Sequence, residues 1–125
     1  MEQREVLIRN YLDAYNRFDL NGMLAGFHET VKFANVSAGA TTLELEGRAA
    51  FREQAERAAQ FFSERRQTPL AFHHAGDCTE VDIDYFAVLA VDLPGGPAKG
   101  AELRLRGKSV FRFEGNQIVE LTDIS

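Results

Sequence analysis

The stretch YLDAYNRFDLNGMLAGFHETVKFAN, residues 11–35, decides the fold. Its first part continues an amphipathic helix expected over residues 2–18. Leu7, Ile8, Tyr11, Ala14, Tyr15 and Phe18 fall on one side at helical spacing. Glu5, Arg9, Asp13 and Arg17 alternate in sign every four residues on the other. Asp19 suits the N-cap of a short second helix over 20–27, with Met23, Leu24 and Phe27 turned inward. Gly22 and Gly26 weaken that helix, so packing must hold it. A strand follows at 31–36, where Val31, Phe33 and Asn35 share one face and Lys32 and Ala34 the other.

Outward from this stretch the chain becomes β-rich. A loop at 37–40 leads to a short strand at 42–46. Gly47 then precedes a helix expected over 48–65, with apolar positions Phe51, Ala55, Ala58, Ala59 and Phe62. Pro69 bars further helix. Strands are expected at 70–75, 80–93, 101–113 and 117–125. They are separated by Gly76-Asp77, PGGPAKG (94–100) and Gly115-Asn116. Turns this short make antiparallel hairpins. Val81, Ile83, Tyr85, Ala87 and Leu89 share one face, as do Leu103, Leu105, Gly107, Ser109, Phe111 and Phe113 in the next strand. The opposite faces carry Glu80, Asp82 and Asp84, then Arg104, Arg106, Lys108 and Arg112, so acid meets base across the pair. Phe86 and Val88 emerge on that outer face and suggest an interface.

The chain has 125 residues, which suits one domain, residues 1–125. Its net charge of −5 and lack of a basic block argue against a nucleic-acid partner. Cys78 is the single cysteine, which excludes an intrachain disulfide. The start, MEQREVLIRN, has no apolar signal region, and no apolar run approaches the ~20 residues that span a bilayer. These features predict a cytoplasmic protein without a membrane partner.

Three segments carry a family resemblance: YLDAYNRFDLNGMLAGFHETVKF (11–33), EGRAAFREQ (46–54) and GKSVFRFEGNQIVELTDI (107–124). Together they resemble the nuclear transport factor 2-like superfamily, which includes ketosteroid isomerases and SnoaL-like proteins. The resemblance implies an α+β fold, a strongly curved antiparallel sheet wrapped as a cone around three helices in the N-terminal half. It also implies a hydrophobic pocket and a homodimer through the outer sheet face. The superfamily hosts isomerases, dehydratases, cyclases, hydrolases and non-catalytic proteins, so it does not name a reaction.

Ketosteroid isomerases use a helix tyrosine, a base at the end of the first strand and a protonated aspartic acid. By resemblance these positions fall at Tyr11, Asn35 and Ser109. An amide cannot take a proton from carbon at neutral pH, so steroid isomerisation by that route is not expected. SnoaL-like cyclases place an acid/base aspartate on the last strand, where this chain has Asp123. Asp123 shares a face with the apolar Val119 and Leu121, a setting that raises a carboxyl pKa.

Each candidate also has a structural reading. Asp123 can be a solvated strand-end acid. Tyr11 and Tyr15 can be core residues with satisfied hydroxyls. Asn35, on an apolar face, either contacts ligand or ties down backbone or a tyrosine. Ser109 can bond backbone. His28 reads as a cap at the end of the second helix. His73 and His74 face opposite sides of a strand, and no metal-ligand spacing appears.

The leading expectation is a small-molecule-binding protein, a cofactor-free acid/base enzyme acting on an apolar carbonyl-bearing substrate. Asp123 and Tyr11 are its catalytic candidates. Tyr15, Phe33, Asn35, Ser109, Phe111 and Leu121 are its substrate-binding candidates, with no metal. The alternatives are a non-catalytic ligand-binding module and a dimeric interaction protein whose pocket is filled by its own aromatics.

Overall fold

A computed structural model describes residues 2–125. Helix α1 (Glu2–Asn16) buries Ile8, Tyr11, Leu12 and Ala14. It ends where Phe18 enters the left-handed region, at φ 59°, and the Asp19 N–H closes on the Ala14 carbonyl at 2.8 Å. Glycine normally fills that position, because a side chain there crowds its own backbone. Asp19 then caps α2 (Leu20–Leu24) by accepting from the Gly22 N–H at 3.0 Å.

Helix α2 is one turn shorter than expected, and β1 (Phe27–Ser37) begins four residues earlier. His28 therefore lies in a strand, where it bonds Thr30, and caps no helix. A turn through Ala38 and Gly39 leads into β2 (Ala40–Glu46).

Helix α3 (Arg48–Ala59) stops well before Arg65. Gln60 and Phe61 close its last turn on the Arg57 and Ala58 carbonyls. The chain then pairs with a neighbouring strand, Phe62 opposite Leu89 and Arg65 opposite Ala87. Phe62 fits the helical period, yet it opens β3 (Phe62–Ala75), because strand pairing outweighs local propensity. Pro69 sits beside an irregularity in β3, an edge strand where a missing N–H is tolerated. Strands β4 (Cys78–Leu89), β5 (Glu102–Glu114) and β6 (Gln117–Ile124) complete the chain.

The sheet has the order β2-β1-β6-β5-β4-β3. All neighbours are antiparallel except β1 and β6, which run parallel. The α+β class holds, but the strongly curved antiparallel cone does not. The sheet is mixed and open, with β2 and β3 as its edges. Hairpin turns reveal only the pairing of consecutive strands. The β1–β6 contact joins segments far apart in sequence, and no local pattern announces it.

One core joins the helices to the sheet. Ile8, Leu12, Leu24, Phe27, Val31, Phe111, Ile118 and Leu121 are essentially sealed. Each such side chain contributes about 1.5–3 kcal/mol on burial. The end of α1 is fixed to β3 by Asn16, whose side-chain amide donates to the Gln67 carbonyl (3.2 Å) and accepts from its N–H (2.8 Å). The start of α1 is held by His74, which bonds Glu5 at 2.9 Å and the buried Thr79 at 2.8 Å.

On the outer face acid meets base as expected: Asp84 with Arg106 at 3.1 Å and Glu80 with Lys108 at 3.6 Å. Asp82 instead pairs with His73 at 3.1 Å. These exposed pairs contribute little stability. Among the described residues no helix is long and apolar enough to cross a membrane.

Candidate functional site

Parallel pairing of β1 with β6 sets Asn35 beside Asp123, and β5 sets Ser109 on Asp123's other side. Three polar residues thus stand in a row across adjacent strands. Ser109 Oγ donates to Asp123 Oδ1 at 2.7 Å. Asn35 Nδ2 donates to Thr42 Oγ1 at 2.8 Å, and that hydroxyl donates back to the Asn35 carbonyl at 3.2 Å. Asn35 Oδ1 has no hydrogen-bond partner among the described residues.

Two cavities meet at this row. The larger, about 450 Å³, lies between the sheet and α1 and α3, with Tyr11, Phe33, Phe51 and Arg65 in its wall. The smaller, about 220 Å³, is lined by Gln67, Tyr85, Leu105 and Ser109 among others. Tyr15, Asn35 and Asp123 line both.

Burial pushes the Asp123 carboxyl up to about 6, against the opposing pull of the Ser109 hydrogen bond. A carboxylate loses more hydration than a neutral acid does on leaving water. The residue is half-buried because its remaining surface opens on the cavities. An acid of this strength can exchange protons near neutrality.

Burial also raises the Tyr11 hydroxyl well above the usual phenol range, with Asp123 adding to the rise and Arg65 opposing it. The ring stacks on Phe27 and meets Phe111 edge-on. Its hydroxyl has no hydrogen-bond partner among the described residues. Tyr15 and Tyr85 share a hydrogen bond at 3.0 Å, and burial raises both phenols. All three tyrosines are neutral donors at physiological pH.

Arg65 is the residue that sequence patterning missed. Its side chain is only 3% exposed, and its Nε donates to the Tyr15 carbonyl at 2.8 Å near the end of α1. The guanidinium lies over the rings of Tyr15 and Phe18, 3.7 and 4.4 Å from their centroids. Desolvating a cation costs several kcal/mol. The two rings return about 1–2 kcal/mol of this, the Phe18 ring less because it is partly exposed. Arg65 looked like one more charge on a helix, and only its place in β3 turns it inward.

Of the residues expected at the site, Tyr11, Tyr15, Phe33, Asn35 and Asp123 line the larger cavity. Ser109 reaches only the smaller one. Phe111 and Leu121 are fully buried and line neither, packing in the core behind the polar row. His74 is committed to Glu5 and Thr79. Burial and Asp77 raise the Cys78 thiol, which favours its neutral form. Among the described residues no three His, Cys, Asp or Glu side chains cluster as a metal site.

The profile of the SnoaL-like domain matches residues 8–121. The chain belongs to the SnoaL-like domain family. Solved structures place this SnoaL-like chain within the wider nuclear transport factor 2-like fold. It is similar to a candidate polyketide cyclase from Xanthomonas campestris, with 23% identity, 99% of this chain and 90% of that one covered, and a TM-score of 0.83. It is also similar to IdmH of Streptomyces antibioticus, a candidate polyketide cyclase, with 15% identity, 96% and 89% covered, and a TM-score of 0.80. A third similar structure is a protein with a ketosteroid isomerase-like fold from Catenulispora acidiphila, in complex with trimethylamine. There the identity is 17%, the coverage 94% and 82%, and the TM-score 0.75. At these identities the likeness establishes the fold of the SnoaL-like chain and not its reaction. A search of curated proteins finds no match.

Proposed function

We propose that the larger cavity binds a small apolar molecule bearing a carbonyl, and that Asp123 moves a proton to or from it. One observation carries this reading: a carboxyl held at about 6 by burial, on the wall shared by two cavities. The ionised form is a stronger base than an ordinary aspartate, and the acid form is still accessible near neutrality. Tyr11 is a neutral donor suited to a developing enolate oxygen, and Asn35 can orient the ligand through its Oδ1. The apolar wall from Phe33 and Phe51 favours a flat hydrophobic body. The two candidate cyclases of the same fold act as a parallel for carbonyl chemistry.

The test is hydrogen exchange at a carbon acid. The protein is incubated with 2-tetralone in deuterium oxide, and loss of the α-proton signal is followed by NMR. Exchange faster than in buffer, lost in Asp123→Asn, is the expected result. A ketone that binds in the cavity without accelerated exchange overturns the proton-transfer role and leaves a non-catalytic binding protein. Filling of the pocket by the chain's own aromatics fits poorly with a cavity of about 450 Å³.

The same reading includes a homodimer through the outer sheet face. Phe86 lies there between Arg66 and Arg104, each within 5.5 Å of its ring. Sedimentation showing only monomer at high concentration removes that part.

A further inference from the structure

We propose that Arg65 is an anion-recognition residue, so that the ligand of the larger cavity carries a planar anionic oxygen group, in the simplest case a carboxylate, on its apolar body. The inference rests on reading this cavity as a ligand site. It does not depend on Asp123 transferring a proton.

Three observations support it. Arg65 is almost fully buried, yet it forms no ion pair with any described carboxylate, and such a cation normally has a counter-charge. Its donors are only partly used. Nε serves the Tyr15 carbonyl at 2.8 Å, Nη2 reaches only the Met23 sulfur at 3.9 Å, and Nη1 has no partner among the described residues. Among the described residues no sealed side-chain nitrogen or oxygen lacks a partner, so Nη1 is not fully sealed. The open space that Arg65 lines is the larger cavity.

A purely structural role accounts for part of this arrangement. Arg65 binds a carbonyl near the C-terminal end of α1, where positive charge is favourable. That role uses one donor of five, and it does not account for an Nη1 left without a protein partner in a residue that lines a cavity. The fork geometry of guanidinium matches two oxygens of a carboxylate.

The cavity is also polarised. Among the described residues Arg65 is the one cation in its lining and Asp123 the one acid. Tyr11 and Tyr85 feel both charges, while Arg65 is not among the groups that set the Asp123 ionisation. Arg65, Asp123, Tyr11 and Tyr15 all line this one cavity. A ligand anchored at Arg65 by its anionic end can extend past Tyr11 toward Asp123.

The experiment compares 2-naphthoate with 2-naphthamide, which share a body and differ in charge. Binding to the full chain is followed at pH 5.5 by NMR, with arginine side chains labelled with nitrogen-15. At that pH a carboxylic acid of pKa about 4 is ionised. Asp123, at about 6, is then mostly protonated and does not repel it.

The expected result is at least tenfold tighter binding of the naphthoate, with a shift of the Arg65 side-chain resonances. Arg65→Gln abolishes the preference, and Arg65→Lys retains part of it. If Arg65→Gln does not fold, the comparison of the two probes on the unaltered protein still decides the matter. Equal affinity for both probes, or a preference that survives Arg65→Gln, overturns the inference and leaves the cavity as a ligand site. Failure of both probes to bind overturns the ligand site as well. Loss of proton exchange in the tetralone assay leaves the inference standing.

Discussion

Ser109 and Asp123 face each other across β5 and β6, with the serine hydroxyl donating to the carboxylate at 2.7 Å. This bond favours the charged form and works against burial. Ser109→Ala therefore raises the Asp123 pKa further above about 6. A carboxyl carbon-13 NMR titration of Asp123 measures it, and an unchanged midpoint would show that the hydroxyl does not act on the acid.

The raised acid also makes stability depend on pH. Burial lifts the folded-state pKa from the ordinary 3.8 to about 6. Below 3.8 both folded and unfolded chains hold the proton, and Asp123 costs nothing extra. As pH rises through the interval the unfolded chain ionises first, and the fold loses stability until about pH 6. At about 1.4 kcal/mol per pKa unit the loss is at most roughly 3 kcal/mol. Asp123→Asn should thus be more stable than the parent at pH 7.5, by an amount approaching that figure. The gain should vanish near pH 3.5. Urea denaturation of both proteins at the two pH values tests it, and an equal gain at both would exclude ionisation as the cause.

Gly107 shapes the same region by lacking a side chain. A Cβ at this position would lie 2.5 Å from the Ile124 carbonyl oxygen, next to Asp123. That contact is with backbone and cannot be relieved by a rotamer change. Gly107→Ala is expected to cost about 1–3 kcal/mol. It should also shift the Asp123 resonance, which a remote packing defect would leave in place.

Phe18 combines backbone strain with a ring contact. Its φ of 59° is costly for a residue with a Cβ, and its ring lies 4.4 Å from the Arg65 guanidinium. Phe18→Ala keeps the strain and loses the ring, so it should destabilise by about 1 kcal/mol. Phe18→Gly loses the ring but relieves about 1–2 kcal/mol of strain, and should be nearly neutral. Chemical denaturation ranks the two variants, and a glycine variant less stable than the alanine one contradicts this account.

Much of this was legible in the residues. Alternation identified the inward face of β4 and of β5 from Ser109 to Phe113, but Leu105 on the same side is exposed. Leu121 marked Asp123 as a carboxyl with an unusual setting, while a register shift at Val119 breaks the alternation and leaves Ile118 in the core. Helical spacing placed Tyr11 and Tyr15 on the side that became the cavity wall. Arg65 was hidden because Phe62 continues the period of α3 by chance, which disguised the opening of β3. Tyr85 was visible as inward-facing, but its hydrogen bond with Tyr15 joins distant segments. The row of Asn35, Asp123 and Ser109 depends on strand order, which side-chain periodicity does not encode.

The parallel pairing of β1 with β6 has a consequence for biosynthesis. Asn35 leaves the ribosome early, but the strand that brings Asp123 beside it follows only after β2 to β5. Closing so long a loop is slow, because entropy is lost before the contacts form. The nascent chain can build its hairpins and bury part of α1 while this neighbourhood is still absent. The wall shared by the two cavities therefore cannot form before β6 has been made, and a chain truncated before β6 would lack Asp123 and with it that wall.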